Sequence, residues 1–190
     1  LHTAGICTVG ELARTAPELL RAKLGRAGYS LHACANGLDA SPVLSKEMLG
    51  PVKSVSNSTT LPRDLVSDGE VLTVLASLAD SVGLRLRRAG LLGRCVTVSV
   101  RGADLSWQSR QSSLRSPTDA TAELISTGIA LFRHLHVWPA PVRSLGLGIS
   151  DLTEPIPEQL DLFGASEKRE RLERLDSGLD NIRKKYGYSS

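Results

Sequence analysis

The chain has 190 residues, of which 41% are apolar and 23% are charged, and its formal net charge is +3. This composition is typical of one ordinary globular domain or two small ones. No apolar run approaches the roughly 20 residues that span a membrane, no signal peptide opens the chain, and three scattered cysteines argue against a disulfide framework or a zinc site. We therefore expect a protein of the reducing cytoplasm. Because the sequence starts at Leu1 rather than Met, we also expect it to be part of a longer protein.

Short helices around a hairpin are predicted for residues 1–40. Thr8–Glu11 and Thr15–Glu18 both have the capping-box form, in which Ser or Thr is followed three residues later by Glu. The second box would open a helix that ends at Gly25, with one more short helix after it. Residues 41–52 contain two prolines and a glycine with little periodicity, and we interpret them as a linker.

Residues 53–152 alternate between strand and helix patterns. A capping box at Ser67–Glu70 predicts the start of the first helix, and Ser116–Asp119, with proline at its first helical position, predicts the start of the second. Strands are predicted at 53–61, 93–101, 105–114 and 143–150. The order β-α-β-β-α-β indicates a four-stranded sheet with two helices covering one face.

The uncovered face of this sheet is predicted to be polar. Alternation in strand 93–101 places on that face Cys95, Thr97, Ser99 and Arg101. Seven arginines against one acid, Asp104, lie between Arg85 and Arg115. Such a basic region favours a polyanionic partner, with an ordinary solvated surface as the alternative.

The last segment, residues 153–190, is predicted to be an extended tether followed by a charged helix. The tether contains Gln159–Phe163, whose large apolar side chains could fill a pocket on a partner or fold back onto their own domain. The helix, predicted at 166–186, carries a narrow apolar stripe that needs a partner surface on this chain or another.

No arrangement of residues predicts catalysis. Gly146 and Gly148 lie in a strand with no helix after it, which excludes a dinucleotide fingerprint. No pair of carboxylates has a pattern suited to binding two magnesium ions, and we find no pair of nucleophile and base. The hairpin Gly5–Gly10 has the form of a helix-hairpin-helix element, in which glycines let the backbone approach a phosphate, although an ordinary helix–helix turn would look similar.

Taken together, these stretches resemble the Y-family DNA polymerases, especially their DNA polymerase IV type. The matching segments are 5–13 (GICTVGELA), 35–39 (ANGLD), 53–55 (KSV), 59–62 (TTLP), 98–101 (VSVR), 107–110 (WQSR), 142–147 (VRSLGL) and 179–187 (LDNIRKKYG). Gln159–Phe163 is similar to the bacterial clamp-binding motif QL[SD]LF. The resemblance covers essentially the whole chain in the expected order.

The resemblance implies an α+β chain with a small all-helical helix-hairpin-helix thumb (1–40), a linker (41–52), a β-α-β-β-α-β little finger (53–152) and a clamp-binding tail with a helix (153–190). The implied DNA contacts are Gly5, Ile6, Thr8, Gly10, Lys53, Ser54, Ser56, Thr59, Arg101 and Arg110. The implied contacts to the sliding clamp, the β subunit, are Gln159, Leu160, Asp161, Leu162 and Phe163.

For the parent protein, the resemblance implies a DNA-directed DNA polymerase that copies damaged templates in DNA repair. Its two magnesium ions would be held by palm carboxylates upstream, so this chain alone is expected to be inactive and to hold no cofactor. The expected partners are primer-template DNA and the clamp, with no membrane.

The sequence departs from the family pattern at a few positions, and other functions compete with this one. Ser56–Ser58 stands where a glycine and charged residues are usual, and Gly102 and Leu105 replace frequent aromatic residues. An RNA-recognition module has the same element order, but it stacks bases on aromatic residues of the sheet, and strand 93–101 offers neither Phe nor Tyr. A regulatory ferredoxin-like domain and a protein-interaction domain are further alternatives.

Overall fold

The computed structural model describes residues 1–45, 48, 50–155 and 165–187. Two compact units divide the chain, Leu1–Gly50 and Pro51–Ser190. After a turn of 3-10 helix, the first unit consists of α1 (Val9–Arg14), α2 (Pro17–Leu24) and α3 (Arg26–Ala35). Its buried apolar side chains are Ile6 and Leu20.

The two predicted capping boxes of the first unit have different outcomes. The Thr8 hydroxyl accepts a hydrogen bond from the Glu11 amide, and the Glu11 carboxylate accepts one from the Thr8 amide. These two bonds confirm the first capping box. The second prediction was wrong. Helix α2 begins at Pro17 after an N-cap Ala16 that forms no side-chain bond, because Thr15 already ends α1 and its hydroxyl donates to the Glu11 carbonyl.

The second unit has the predicted order of strands and helices. Its elements are β1 (Ser54–Leu65), α4 (Asp68–Ala89), β2 (Leu92–Gly102), β3 (Trp107–Thr118), α5 (Thr121–Leu135), β4 (Val142–Thr153) and α6 (Ala165–Tyr186). The strands form one antiparallel sheet in the order β1-β4-β2-β3, so that β1 and β3 are its edges. The predicted fold class is confirmed.

One face of the sheet packs against α4 and α5 and forms the hydrophobic core. Alternate residues of β2 and β4 are buried there, as strand periodicity requires. The strand residues of this core include Val96, Val98, Val100, Leu145, Leu147 and Ile149, and the helix residues include Val71, Leu75, Val82, Leu124 and Phe132.

The predicted start of α5 was wrong by several residues. Strand β3 continues through Pro117 to Thr118, and α5 begins at Thr121. Proline is tolerated there because β3 is an edge strand. The Ala120 N-cap makes no side-chain bond; instead, the Thr121 amide donates at 2.9 Å to a carboxylate of Asp176, from α6. This cap is supplied from far along the chain, so no local pattern could reveal it.

Helix α6 docks through ion pairs with α4, and most of the apolar stripe that the sequence predicts is exposed. Arg87 of α4 bonds Asp180 at 2.6 Å and Asp176 at 3.3 Å, and Arg183 bonds Asp80 at 2.6 Å. Asp176 is only 7% exposed. Within the described part of the chain the stripe stays largely exposed, at Leu175, Leu179, Ile182 and Tyr186.

The candidate clamp motif, Gln159–Phe163, lies outside the described residues, as does most of the predicted tether. The described chain stops at residue 155, just after β4, and resumes with α6 at Ala165.

Candidate nucleic-acid interface

The face of the sheet away from α4 and α5 is polar, and among the described residues that the strand register pairs on it none is Asp or Glu. Residues paired directly across neighbouring strands share a face, so the register assigns four residues of each strand to this side. We call these residues the open face: Ser54, Ser56, Ser58 and Thr60 of β1; Ser144, Gly146, Gly148 and Ser150 of β4; Cys95, Thr97, Ser99 and Arg101 of β2; and Trp107, Ser109, Gln111 and Ser113 of β3.

A shallow trough of about 310 Å³ runs along β4 between β1 and β2. Gly146 and Gly148 form its floor, and serine and threonine side chains line it. A Cβ at Gly146 would lie 2.4 Å from the Ser99 hydroxyl, and one at Gly148 would lie 2.9 Å from the Ser56 Cβ. A larger residue at either position would therefore collide with the serines of β1 or β2 that line the trough.

Exposed hydroxyl groups line the trough on the β1 side. Ser54, Ser56 and Ser58 are exposed, whereas the Thr60 and Ser144 hydroxyls bond each other at 2.9 Å. Arg85 of α4 reaches the edge of β1 and donates to the Ser56 carbonyl at 2.8 Å. Hydroxyls, backbone amides and arginines are common donors to phosphate oxygens.

At one end of the open face, Arg101 lies over an aromatic ring. Its guanidinium carbon is 5.5 Å from the centre of the Trp107 ring, and its Nε donates to the Leu105 carbonyl at 3.4 Å. Among the described residues, Arg101 forms no ion pair with a carboxylate. Its charge therefore remains available to an anion.

The arginine-rich stretch 85–115 does not form one basic patch. Arg87 forms ion pairs with α6, and its side chain is only 11% exposed. Burial acts to lower the pKa of Arg87, but the hydrogen bonds that Arg87 donates to Asp180 and the charge of Asp176 outweigh it and raise the pKa. Arg101 lies on the open face, and Arg94 donates to the Leu114 carbonyl.

The structure separates the DNA-contact residues that the resemblance implied. Ser54, Ser56 and Arg101 lie on the open face, and exposed Lys53 directly precedes β1. Thr59 pairs with buried Leu145, and Arg110 pairs with buried Val98. Both side chains consequently belong to the opposite side of the sheet from Arg101, and their contacts with DNA stay predictions. Which residues of neighbouring strands share a face depends on how the strands pair. Short sequence motifs carry no information about that pairing.

In the first unit, the predicted hairpin residues surround the start of α1. Gly5 has a φ of 71°, which favours glycine, while Ile6 is buried and Thr8 caps α1. The Glu11 carboxylate accepts from the Cys7 amide at 2.7 Å and from the Thr8 amide at 3.0 Å, and these bonds hold the pKa of Glu11 below its ordinary value. The Thr8 amide is therefore occupied, whereas Gly10 is exposed on the first turn of the helix.

Sequence reasoning missed the part of the open face that β3 contributes. Trp107, Ser109, Gln111 and Ser113 all lie there. The signal was available: the alternation of residues in the predicted strand 105–114 places all four on one side once any one of them is assigned.

Membrane-spanning helices and metal-binding clusters are both absent from the described residues. No helix in this part of the chain is long and apolar enough to cross a membrane. The same residues contain no group of three His, Cys, Asp or Glu side chains that could hold a metal ion.

Comparison with known proteins relates this geometry to a family. A family model described as the impB/mucB/samB family C-terminal domain matches residues 52–162. The chain is 38% identical over 191 residues to DNA polymerase IV of Acetivibrio thermocellus, a match that covers 100% of this chain and 48% of that protein. It is also 38% identical over 186 residues to DNA polymerase IV 2 of Bacillus subtilis, covering 95% of this chain and 44% of the relative. The chain thus spans about half the length of the curated relatives it matches.

A solved structure shares the fold. It is a Y-family DNA polymerase chimera, Dbh-Dpo4(243-245)-Dbh, which superposes with a TM-score of 0.54 over 82% of this chain and 44% of the chimera, at 19% identity. The family match over more than half of the residues, the consistently named relatives and this shared fold confirm the resemblance. The chain belongs to the impB/mucB/samB family and represents the C-terminal part of a Y-family DNA polymerase of the DNA polymerase IV type.

Proposed function

We propose that this chain is the part of a translesion DNA polymerase that holds primer-template DNA, with the open face lying along a phosphate backbone. The observation that carries this proposal is the composition of that face: hydroxyls, glycines and Arg101, with no carboxylate. Small donors on a flat sheet suit phosphate oxygens, and the lack of acids removes electrostatic repulsion.

The size of the open face also supports this use. From Ser54 to Thr60, β1 extends for about 20 Å, because a strand rises about 3.3 Å per residue. One DNA strand advances about 3.4 Å along the helix axis per nucleotide, so a β1 strand laid parallel to that axis would span about six nucleotides. In the same proposal, the first unit contacts DNA through the hairpin residues Gly5, Ile6, Thr8 and Gly10.

The test compares the two arginines that lie on opposite sides of the sheet. We expect Arg101→Ala to weaken duplex binding and to reduce the slope of log affinity against log salt concentration by about one unit. Arg110→Ala is the matched control, because its exposed guanidinium belongs to the other side and should leave the slope nearly unchanged. Equal losses in both variants, or none in Arg101→Ala, would show that DNA does not lie on the open face.

We also propose that the complete protein is a DNA-directed DNA polymerase that acts in DNA repair in the cytoplasm. By the resemblance to Y-family polymerases, its two magnesium ions would be bound by palm carboxylates upstream of this chain. Purified chain incubated with magnesium, nucleotides and a primed template should therefore incorporate nothing. Incorporation that co-purifies with the chain and disappears with it on immunodepletion would contradict this.

The segment Gln159–Phe163 is proposed to bind the bacterial sliding clamp. Its support is the similarity to the clamp-binding motif and its position between the end of β4 at Thr153 and the start of α6 at Ala165. Leu162→Ala with Phe163→Ala should abolish clamp binding in calorimetry and leave duplex affinity unchanged. Clamp binding that survives both changes would require a different contact surface.

A further inference from the structure

Trp107 is a large aromatic side chain left exposed on a surface that we propose to bind DNA. It lies on the open face, in the edge strand β3, and 57% of its surface is accessible. A single exposed apolar side chain is common on protein surfaces, so only the surroundings of the Trp107 ring can point to a ligand.

The other tryptophan of the chain, Trp138, has a structural role. Its Nε1 donates to Asp68 at 2.7 Å, and its ring lies edge-on to His136 at 4.6 Å and near Phe132 at 6.2 Å. Trp107 has none of these contacts. Of the two, Trp107 is the one that is available to a partner.

The β2–β3 turn holds Arg101 beside the ring. Leu105 adopts a φ of 68°, a left-handed conformation that is unfavourable for a residue other than glycine, and its carbonyl accepts from the Arg101 Nε. The guanidinium is thereby kept near the Trp107 ring, 5.5 Å from its centre. A cation beside an aromatic ring, with that ring still more than half exposed, is an arrangement that can accept a stacked base and a phosphate together.

We propose that Trp107 stacks on an unpaired nucleobase of single-stranded DNA while Arg101 binds an adjacent phosphate. The base must be unpaired, because bases inside a duplex are already stacked on both faces and expose only their edges in the grooves. This inference rests on the proposed function of the open face and adds a second ligand to it. A polymerase part with this site would hold single-stranded template next to duplex.

Strand 93–101 has no Phe or Tyr, and by itself this strand argues against base stacking. The aromatic residue is instead on the neighbouring strand, at the position paired with Arg101. The open face thus combines a hydroxyl-lined trough with one stacking residue at its end.

The experiment measures affinity of the full chain for three DNAs: a blunt duplex, the same duplex with a short thymidine extension, and the same duplex with an extension of abasic nucleotides. The two extensions carry the same phosphates and differ only in their bases. We expect the thymidine extension to bind about tenfold more tightly than the abasic one. Trp107→Ala should remove this difference, and Trp107→Phe should keep most of it.

Two controls separate stacking from other effects. Gln108→Ala changes the exposed neighbour on the opposite side of β3 and should leave all three affinities unchanged. Tryptophan fluorescence should be quenched by the thymidine extension more than by the abasic one, and Trp107→Ala should lose that difference.

Three results would overturn the inference. Equal affinity of the native chain for both extensions would exclude a contact with bases. An equal loss on all three DNAs in Trp107→Ala would mean that the ring only positions Arg101 for duplex binding. If the native chain bound none of the DNAs, the proposed function would fall as well, whereas normal binding of the blunt duplex without a base-dependent gain would reject the stacking site alone.

Discussion

At the scale of single residues, the glycines of β4 decide whether the trough exists. Gly146 lies between Ser58 and Ser99, and an added Cβ would lie 3.2 Å from the Ser58 Cβ and 2.4 Å from the Ser99 hydroxyl. Serine hydroxyls can rotate, but the β1 side has less freedom because Ser58 is held in the ladder. A methyl group here would therefore both strain the sheet and fill the trough.

We predict that Gly146→Ala lowers the free energy of unfolding by about 1–3 kcal/mol and weakens duplex binding. Gly69→Ala is the matched control, since a Cβ at this position in the first turn of α4 meets nothing within 4 Å. That control should be neutral or stabilising by up to about 1 kcal/mol. Urea denaturation measures both, and equal stability of the two variants would contradict the close packing at Gly146.

At the scale of helices, two ends are capped by carboxylates in different ways. Glu11 caps α1 from within its own helix, and the amides of Cys7 and Thr8 hold its pKa below the ordinary value of 4.5. Asp176 caps α5 from a different helix and is paired with Arg87. The first device depends on neighbouring residues alone, whereas the second depends on the docking of α6.

The lowered pKa of Glu11 predicts acid sensitivity in the first unit. A carboxyl whose pKa is lower in the folded state stabilises that state above the unfolded pKa, and this stabilisation is lost as the pH falls from about 4.5 through the folded pKa. Amide exchange of α1 should therefore accelerate in this pH range beyond the intrinsic rate. Glu11→Gln should reduce the pH dependence, and an unchanged profile in that variant would assign it to another group.

Removing Arg87 should release α6. Breaking a buried ion pair by deleting one partner typically costs about 3–5 kcal/mol, and Asp176 can avoid most of this cost if α6 detaches and the carboxylate returns to water. We expect Arg87→Ala to increase amide exchange of α6 by about 100-fold without changing that of β2 and β4. Arg88→Ala, an exposed neighbour, is the control. Unchanged exchange of α6 would mean that other contacts hold it.

At the scale of the whole chain, the two units differ in the size of their cores. The unit Leu1–Gly50 buries few apolar side chains, chiefly Ile6 and Leu20, whereas Pro51–Ser190 has a core built from four strands and two helices. Units of about 50 residues bury a smaller fraction of their surface on folding than larger domains do, and they are marginally stable. The second unit should therefore carry most of the folding free energy.

This difference predicts how separate fragments behave. Residues 51–190 alone should unfold in one cooperative transition in urea, and residues 1–50 alone should show at most a broad, weak transition by circular dichroism. The intact chain, measured under the same conditions, is the reference. A sharp transition in fragment 1–50 would show that its few buried residues suffice for independent folding.

Much of the second unit could be predicted because strand and helix patterns are local. The alternation at 93–101 assigned Thr97, Ser99 and Arg101 to the uncovered face, and the structure confirms it by burying the intervening Val96, Val98 and Val100 in the core. Boundaries set by distant partners could not be predicted. The start of α5 is one example, because its cap comes from Asp176.

By itself, the sequence determined the fold class, the family and the residues that each strand turns to one side, since these follow from short-range periodicity and from motifs. Only the tertiary structure decided which residues meet. The pairing order β1-β4-β2-β3 aligns Ser58, Gly146 and Ser99 in one row and places Trp107 beside Arg101. It also puts Arg110 and Thr59 on the far side and withdraws Arg87 into the contact with α6. The physical reason is that strand register and helix docking arise from contacts between residues far apart in the chain, whereas periodicity records only the neighbours of each residue.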